Sequence, residues 1–319
     1  MSSPGLHRYA VVTACATLLL IVAGGLVTST ESGLSVPDWP LSYGRLMPPM
    51  VGGIFYEHGH RMVATTVGLL TIGLVIWLAR REPRAWVRRL GWAALGAVVA
   101  QGVLGGLTVI FLLPTAISVA HACLAQTFLC LVVTIAVVTS PRWLRGRPAE
   151  PGPVFRAGAW TAAAVWIQLL IGAVMRHDKA GLAIPDFPLA LGRIVPPLDR
   201  FPVAIHFAHR VWAVVVLASV LACLAAALRS RRPGLIGGGI VLASVVAVQI
   251  ALGAATVLTR KAVPIATAHV ATGALLLATA VVFTLGSRRL PETSASELAG
   301  DPSTAGRRVR SNHEAVAWE

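Results

Sequence analysis

The chain has 319 residues, 56% of them hydrophobic and only 13% charged, with a formal net charge of +14. A soluble domain of this size carries about 25% charged residues, so the composition excludes an ordinary soluble protein and marks an integral membrane protein. The basic residues gather in short linkers between apolar runs, which excludes a nucleic-acid surface and assigns the charge to the edges of a bilayer.

Crossing the hydrocarbon core takes about 20 apolar residues per helix. The first run, 9–28, opens with few charges and lacks a small-residue cleavage site, so it reads as a retained helix rather than a removed signal peptide. Seven more runs follow at 55–79, 90–112, 116–139, 157–176, 203–228, 235–258 and 264–286. Only helices or closed barrels satisfy the backbone in lipid, and runs this long are helices. The linkers after the second, fourth, sixth and eighth runs hold fourteen Arg, among them Arg80, Arg142, Arg229 and Arg288, against six Lys or Arg in the alternate loops. The positive-inside rule then places both termini in the cytoplasm and the two long loops, 29–54 and 177–202, outside. The small-residue-rich segment 291–319 reads as a disordered cytoplasmic tail. Cys15, Cys123, Cys130 and Cys223 all fall inside apolar runs and read as small buried hydrophobes, with no disulfide or CxxC metal framework.

The sequence repeats. GLSVPDWPLSYGRLMPP (33–49) aligns with GLAIPDFPLALGRIVPP (181–197) at an offset of 148, which also pairs Gln101 with Gln249, Gly105 with Gly253 and His121 with His269. One inserted residue shifts the offset to 149 beyond the PP pairs, matching Glu57 with His206, His60 with His209 and Arg61 with Arg210. The expected fold is therefore all-α: eight transmembrane helices as two parallel four-helix bundles, 1–145 and 146–290. The PDWP and PDFP segments read as rigid interfacial turns, a lid over a site beneath being the other reading.

Each half carries one His near the outer end of its second helix and one near that of its fourth: His60 and His121, then His209 and His269. Ionisable residues within a span are costly, and a duplicated pair at one depth points to function. Two neutral imidazoles on facing helices suit the axial positions of heme iron; hydrogen bonding to neighbouring helices is the alternative. Zinc would need third and fourth ligands that neither half provides. Arg61 and Arg210 follow a paired His and could grip heme propionates or snorkel to the interface. His58 has no counterpart and points off the His60 face, so it reads as incidental; His206 reads as a partner behind the ligand. His7, His177 and His313 fall in tails or loops and carry no argument.

Glu57 breaks the symmetry. It precedes His60 by three residues on one helix face, and His206 takes its place in the second half. A carboxylate beside a heme can serve as general base or proton relay, or merely anchor the helix end. The asymmetry assigns chemistry to the first half and a bound electron carrier to the second.

With TESGLSVPDWP, EHGHR, QGVLGGLTV, HFAHR and QIALGAATV in hand, the sequence resembles the heme A synthases of bacteria and mitochondria over residues 5–290. The resemblance implies oxidation of the C8 methyl of heme O to a formyl group, giving heme A for terminal oxidases. It assigns Glu57 as the catalytic carboxylate and His60 and His121 as ligands flanking the substrate heme, with His209 and His269 holding a heme b cofactor and its iron. It also implies a heme O synthase (a farnesyltransferase) and an electron acceptor as partners in the cell membrane, with lipid around and no nucleic acid. A homo-oligomer is compatible with this. Some members carry a cysteine pair in the outer loops; here that pair is missing, which excludes a thiol step or disulfide switch there. The competing reading is a di-heme b electron carrier linked to quinol, without porphyrin chemistry.

Overall fold

The computed structural model describes residues 4–290. Eight long apolar helices account for most of them: α1 (Pro4–Ser29), α2 (Gly53–Arg81), α3 (Ala85–Ile110), α4 (Thr115–Val138), α6 (Pro153–His177), α7 (Phe201–Ser230), α8 (Pro233–Leu258) and α9 (Val263–Ser287). The short helix α5 (Pro141–Arg145) lies between α4 and α6, and two-residue strands β1 (Arg147–Pro148) and β2 (Arg289–Leu290) pair antiparallel. The helices run a few residues past the apolar runs because flanking arginines extend a helix as readily as apolar residues do. Several begin on a proline in the first turn, as α6, α7, α8 and α9 do, where its missing N–H costs nothing. The proposed tail and His313 lie outside the described residues.

Paired positions of the two halves share unusual backbone. In the long loops Trp39–Pro40 and Phe187–Pro188 are both cis, and positive φ recurs at Tyr43 and Leu191 and at Gly44 and Gly192; in the α3–α4 and α8–α9 turns it recurs at Leu112 and Arg260. The helices are apolar all round, so their outward residues, such as Leu69, Val99 and Val214, face lipid. One core gathers Leu74, Phe128 and Leu129 with Ala274 of α9; the other gathers Val220, Leu242 and Phe283. Helices α1, α4, α6 and α9 pack on one another at the centre, with α2 and α3 on one flank and α7 and α8 on the other.

All four cysteines are free; Cys15 is exposed on α1 rather than buried, and Cys223 is buried with its Sγ 3.2 Å from Thr161 Oγ1. His7 lies within α1, not in a tail, and its Nδ1 is 2.9 Å from the Ala136 carbonyl of α4. At the arginine-rich end the α2–α3 turn holds an ion pair: Arg84 Nε and Nη2 donate to Glu82 at 2.6 and 2.9 Å, and Nη2 also reaches the Val138 carbonyl. Burial pushes the Glu82 carboxyl up, but the Arg84 bonds outweigh it and hold it below its ordinary 4.5. That stabilisation is present above the ordinary carboxylate range and is lost as pH falls through the lowered folded value. R84A strands a fully buried carboxylate and should cost about 3–5 kcal/mol, read as a lower melting temperature in detergent; an unchanged melt would show the pair to be dispensable.

Candidate functional site

At the end of the bundle bearing the two long loops, each of the four histidines sits in a notch made by a glycine of the preceding helix. An ideal Cβ on Gly24 of α1 would lie 3.1 Å from His60 Cε1, and one on Gly105 of α3 would lie 3.2 Å from His121 Cε1. In the second half Gly172 of α6 and Gly253 of α8 stand the same way to His209 and His269, at 3.1 and 3.0 Å. Any side chain there would push the ring, so glycine is what lets the imidazoles pack edge-on against a neighbouring helix. These seats obey the repeat, Gly24 with Gly172 and Gly105 with Gly253. Sequence reasoning used the second pair only as an alignment mark and missed the first.

The His209 and His269 ring centroids are 6.4 Å apart, tilted by 71°. Imidazole nitrogens bind a metal at about 2.0–2.1 Å, so two rings sharing one ion from opposite sides stand roughly 6 Å apart. The pair therefore fits a single metal between axial ligands. Among the described residues the Nδ1 atoms of His60, His121 and His269 are buried without a protein partner, while the backbone of Leu20, Gln101 and Gln249 on the preceding helices hydrogen-bonds the same three rings, so contacts between helices are part of how these imidazoles are held. His209 is met by the Gln168 side-chain amide, 3.2 Å from Nδ1, which also donates to the His209 carbonyl; Gln101 does the latter for His121. Among the described residues no group of three or more His, Cys, Asp or Glu could enclose a metal, in keeping with two-ligand sites.

Glu57 is 4% exposed. Its Oε2 accepts the Val36 N–H at 2.8 Å, and its Oε1 accepts Arg61 Nη2 at 2.7 Å. The remaining Nη donors of Arg61 go to the carbonyls of Val36, Asp38 and Leu41. The second half rebuilds this strut without the acid: Ile184 N–H donates to His206 Nδ1 at 3.3 Å, and Arg210 donates to Ile184, Asp186 and Leu189. His206 thus stands in for Glu57 as the residue that ties the loop to the helix, and both arginines clamp loop backbone.

His58 is not incidental. It is buried, and its Nδ1 lies 2.8 Å from Ser42 Oγ, pinning the first loop to α2. The corresponding second-half residues are Phe207 and Ala190, which pack as an apolar pair. The aromatics of the two loops make different contacts: the Trp39 ring lies 2.6 Å from where a Gly106 Cβ would be, beside the His121 seat, whereas Phe187 stacks under Arg210, and Ala254 takes the place of Gly106 in the second half. Outside the membrane, backbone N–H groups of Gly44 and Tyr43 hold the Asp38 carboxyl below its ordinary range, and those of Gly192 and Leu191 do so for Asp186. Both loops are tied to the second helix of their half, by the bonds of Glu57, His58 and Arg61 in the first and of His206 and Arg210 in the second. His177, read as a loop residue, ends α6 and lies within electrostatic range of His121.

The family of cytochrome oxidase assembly proteins, COX15-CtaA, matches residues 7–281. A protein from Symbiobacterium thermophilum named "Heme A synthase" is 34% identical over 248 residues, covering 74% of this chain and 80% of its own. Proteins of the same name from Halalkalibacterium halodurans and Rhizorhabdus wittichii are 30% and 29% identical, each over 86% of this chain and over 95% and 91% of their own. With eight spans and two histidine pairs under matching loops, the chain belongs to the COX15-CtaA family of cytochrome oxidase assembly proteins.

Proposed function

We propose that this protein is a heme A synthase, an oxidoreductase that converts the C8 methyl of heme O to a formyl group in the cell membrane, at the extracytoplasmic side. The observation that carries the reading is the duplicated histidine pair with a carboxylate beside only one of them. In the first half His60 and His121 bind and orient heme O beneath the loop that lays Trp39 against Gly106 of α3. With water supplying the oxygen, R–CH3 + H2O gives R–CHO, four protons and four electrons, and Glu57, three residues before His60 on the same helix face, is the carboxylate that accepts a proton. Its Oε1 takes the proton as it leaves Arg61, while Oε2 keeps the loop in place through Val36. In the second half His209 and His269 hold heme b, which when bound supplies electron transfer. Heme O synthase hands over the substrate, and an acceptor in the membrane removes the electrons.

The deciding experiment co-expresses the chain with a heme O-forming farnesyltransferase in a host that lacks heme A, then separates the extracted hemes by chromatography. Heme A or its hydroxylated precursor is the expected product. A folded, heme-loaded protein that yields neither removes the synthase reading and leaves a di-heme electron carrier.

A further inference from the structure

Arg176 lies on α6, inside the bundle, where a charge is costly unless it does something. Among the described residues the ion pairs are Arg61–Glu57 and Arg84–Glu82, so Arg176 has no carboxylate of its own. Its Nη2 donates to the Gly25 carbonyl at 2.9 Å and to Ser29 Oγ at 2.8 Å, both on α1. Ser29 Oγ in turn accepts from Thr267 Oγ1 of α9 at 3.1 Å, two residues before His269. These bonds fix the guanidinium at the seam of α1, α6 and α9 and leave Nη1 and Nε with no protein acceptor. By contrast, every Nη donor of Arg61 is spent on the loop or on Glu57.

The position on α6 says what the free donors face. Gln168, Gly172 and Arg176 follow at four-residue steps, each about 6 Å further along one helix face. Gln168 touches the His209 ring and Gly172 seats it, so Arg176 caps that face one turn nearer the loops. Arg176 also lies within electrostatic range of His269. The first half has Leu20, Gly24 and Thr28 at the matching positions. It keeps the seat and lacks the amide and the guanidinium, and Thr28 spends its hydroxyl on the Gly24 carbonyl.

We infer that Arg176 receives a propionate of the heme held by His209 and His269, and that the Gln168–Arg176 face makes the second site a retaining one while its Leu20–Thr28 counterpart leaves the first site free to exchange. This rests on the synthase reading and adds the basis for its division of labour. A planar guanidinium with two unspent donor positions matches a carboxylate, and a cation held in low dielectric is worth more there than at the surface. Arg176 is a binding and positioning residue; it takes no part in the oxidation.

The test uses the full chain in lipid nanodiscs, with transfer of its heme to apomyoglobin and redox titration of the heme b signal as readouts. R176Q should lose heme b about ten- to hundredfold faster than wild type, the worth of a charge-assisted hydrogen bond. It should also show a lower midpoint potential, because the lost cation favoured the ferrous form. Reconstituted with heme b dimethyl ester, whose propionates are blocked, wild type should release heme as fast as R176Q does. Equal release of natural heme b by R176Q and wild type overturns the assignment, and so does an Arg176 effect that persists with the ester. Should R176Q fail to accumulate, R176K decides. It keeps the charge and loses the fork, so release should quicken with little change in potential, and unchanged release overturns the inference. Wild-type protein that carries no heme at all would sink the synthase reading itself, which a null result for R176Q in heme-loaded protein would leave standing.

Discussion

E57Q should retain heme b at wild-type occupancy and lose conversion of heme O by about 10²- to 10⁴-fold, the range of a general acid–base contribution. Glutamine keeps the length of the side chain and one oxygen for the Val36 N–H, but it cannot carry a proton away. His206 already performs the loop-tying half of the Glu57 task in the second half, accepting from Ile184 where Glu57 accepts from Val36. E57H therefore keeps an acceptor for the Val36 N–H, loses the Arg61 ion pair, and puts an imidazole, itself a general base, in place of the carboxylate, so it should retain part of the conversion that E57Q loses. Both variants should show the heme b absorbance of wild type, while heme extracted from cells co-expressing E57Q should be heme O in place of heme A. Conversion that survives in E57Q would move the proton acceptor elsewhere and leave Glu57 a strut. Loss of heme b, which the second half holds, together with activity would mean that the substitution had disturbed the fold beyond the first site, and the assignment of chemistry to this residue would fall.

Much of this arrangement was legible in the sequence, for identifiable reasons. Hydropathy marks spans because lipid demands long apolar helices, and the 148-residue offset marks the repeat because loop motifs and histidines recur in register. What stayed hidden was mostly contact with backbone. Glu57, His206, Arg61 and Arg210 all aim at main-chain N–H or carbonyl groups of the loops, and a backbone target leaves no residue type to recognise. Exchanges between the halves were equally opaque singly. Ser42 with His58 becomes Ala190 with Phe207, and Trp39 on Gly106 becomes Phe187 under Arg210. The first exchange looks like drift until the loop folds onto the helix; then it is a polar pair traded for an apolar one. The arrangement of α1, α4, α6 and α9 at the centre was also unreadable, because helices that are apolar on every side give no amphipathic cue to their neighbours. Arg176 escaped notice for a related reason: it has no counterpart, and a lone Arg near a span end resembles one that snorkels.

The glycine seats make the sharpest demand on the two-site view. A valine at Gly172 or Gly253 puts methyl groups against an imidazole whose edge already lies 3.0–3.1 Å from the position of a bare Cβ. Overpacking of this kind costs about 1–3 kcal/mol, and the ring that must yield is the one we propose as a heme ligand. G172V and G253V should therefore weaken heme b binding by about ten- to a hundredfold, measured as heme content after purification. G24V and G105V press on His60 and His121 instead; they should depress conversion of heme O while heme b stays bound. Alanine at each site should have the smaller effect, since the neighbour then needs to give by only a few tenths of an ångström. Gly102, three residues before Gly105 on α3, has nothing near its Cβ position, and G102A should be silent in both assays. The four seats are close to identical in geometry, so packing damage alone would make all four valine variants behave alike. Only a molecule whose halves hold different hemes for different purposes would sort them by half. If G24V shed heme b as readily as G172V, the division of labour would be wrong even with every histidine correctly placed.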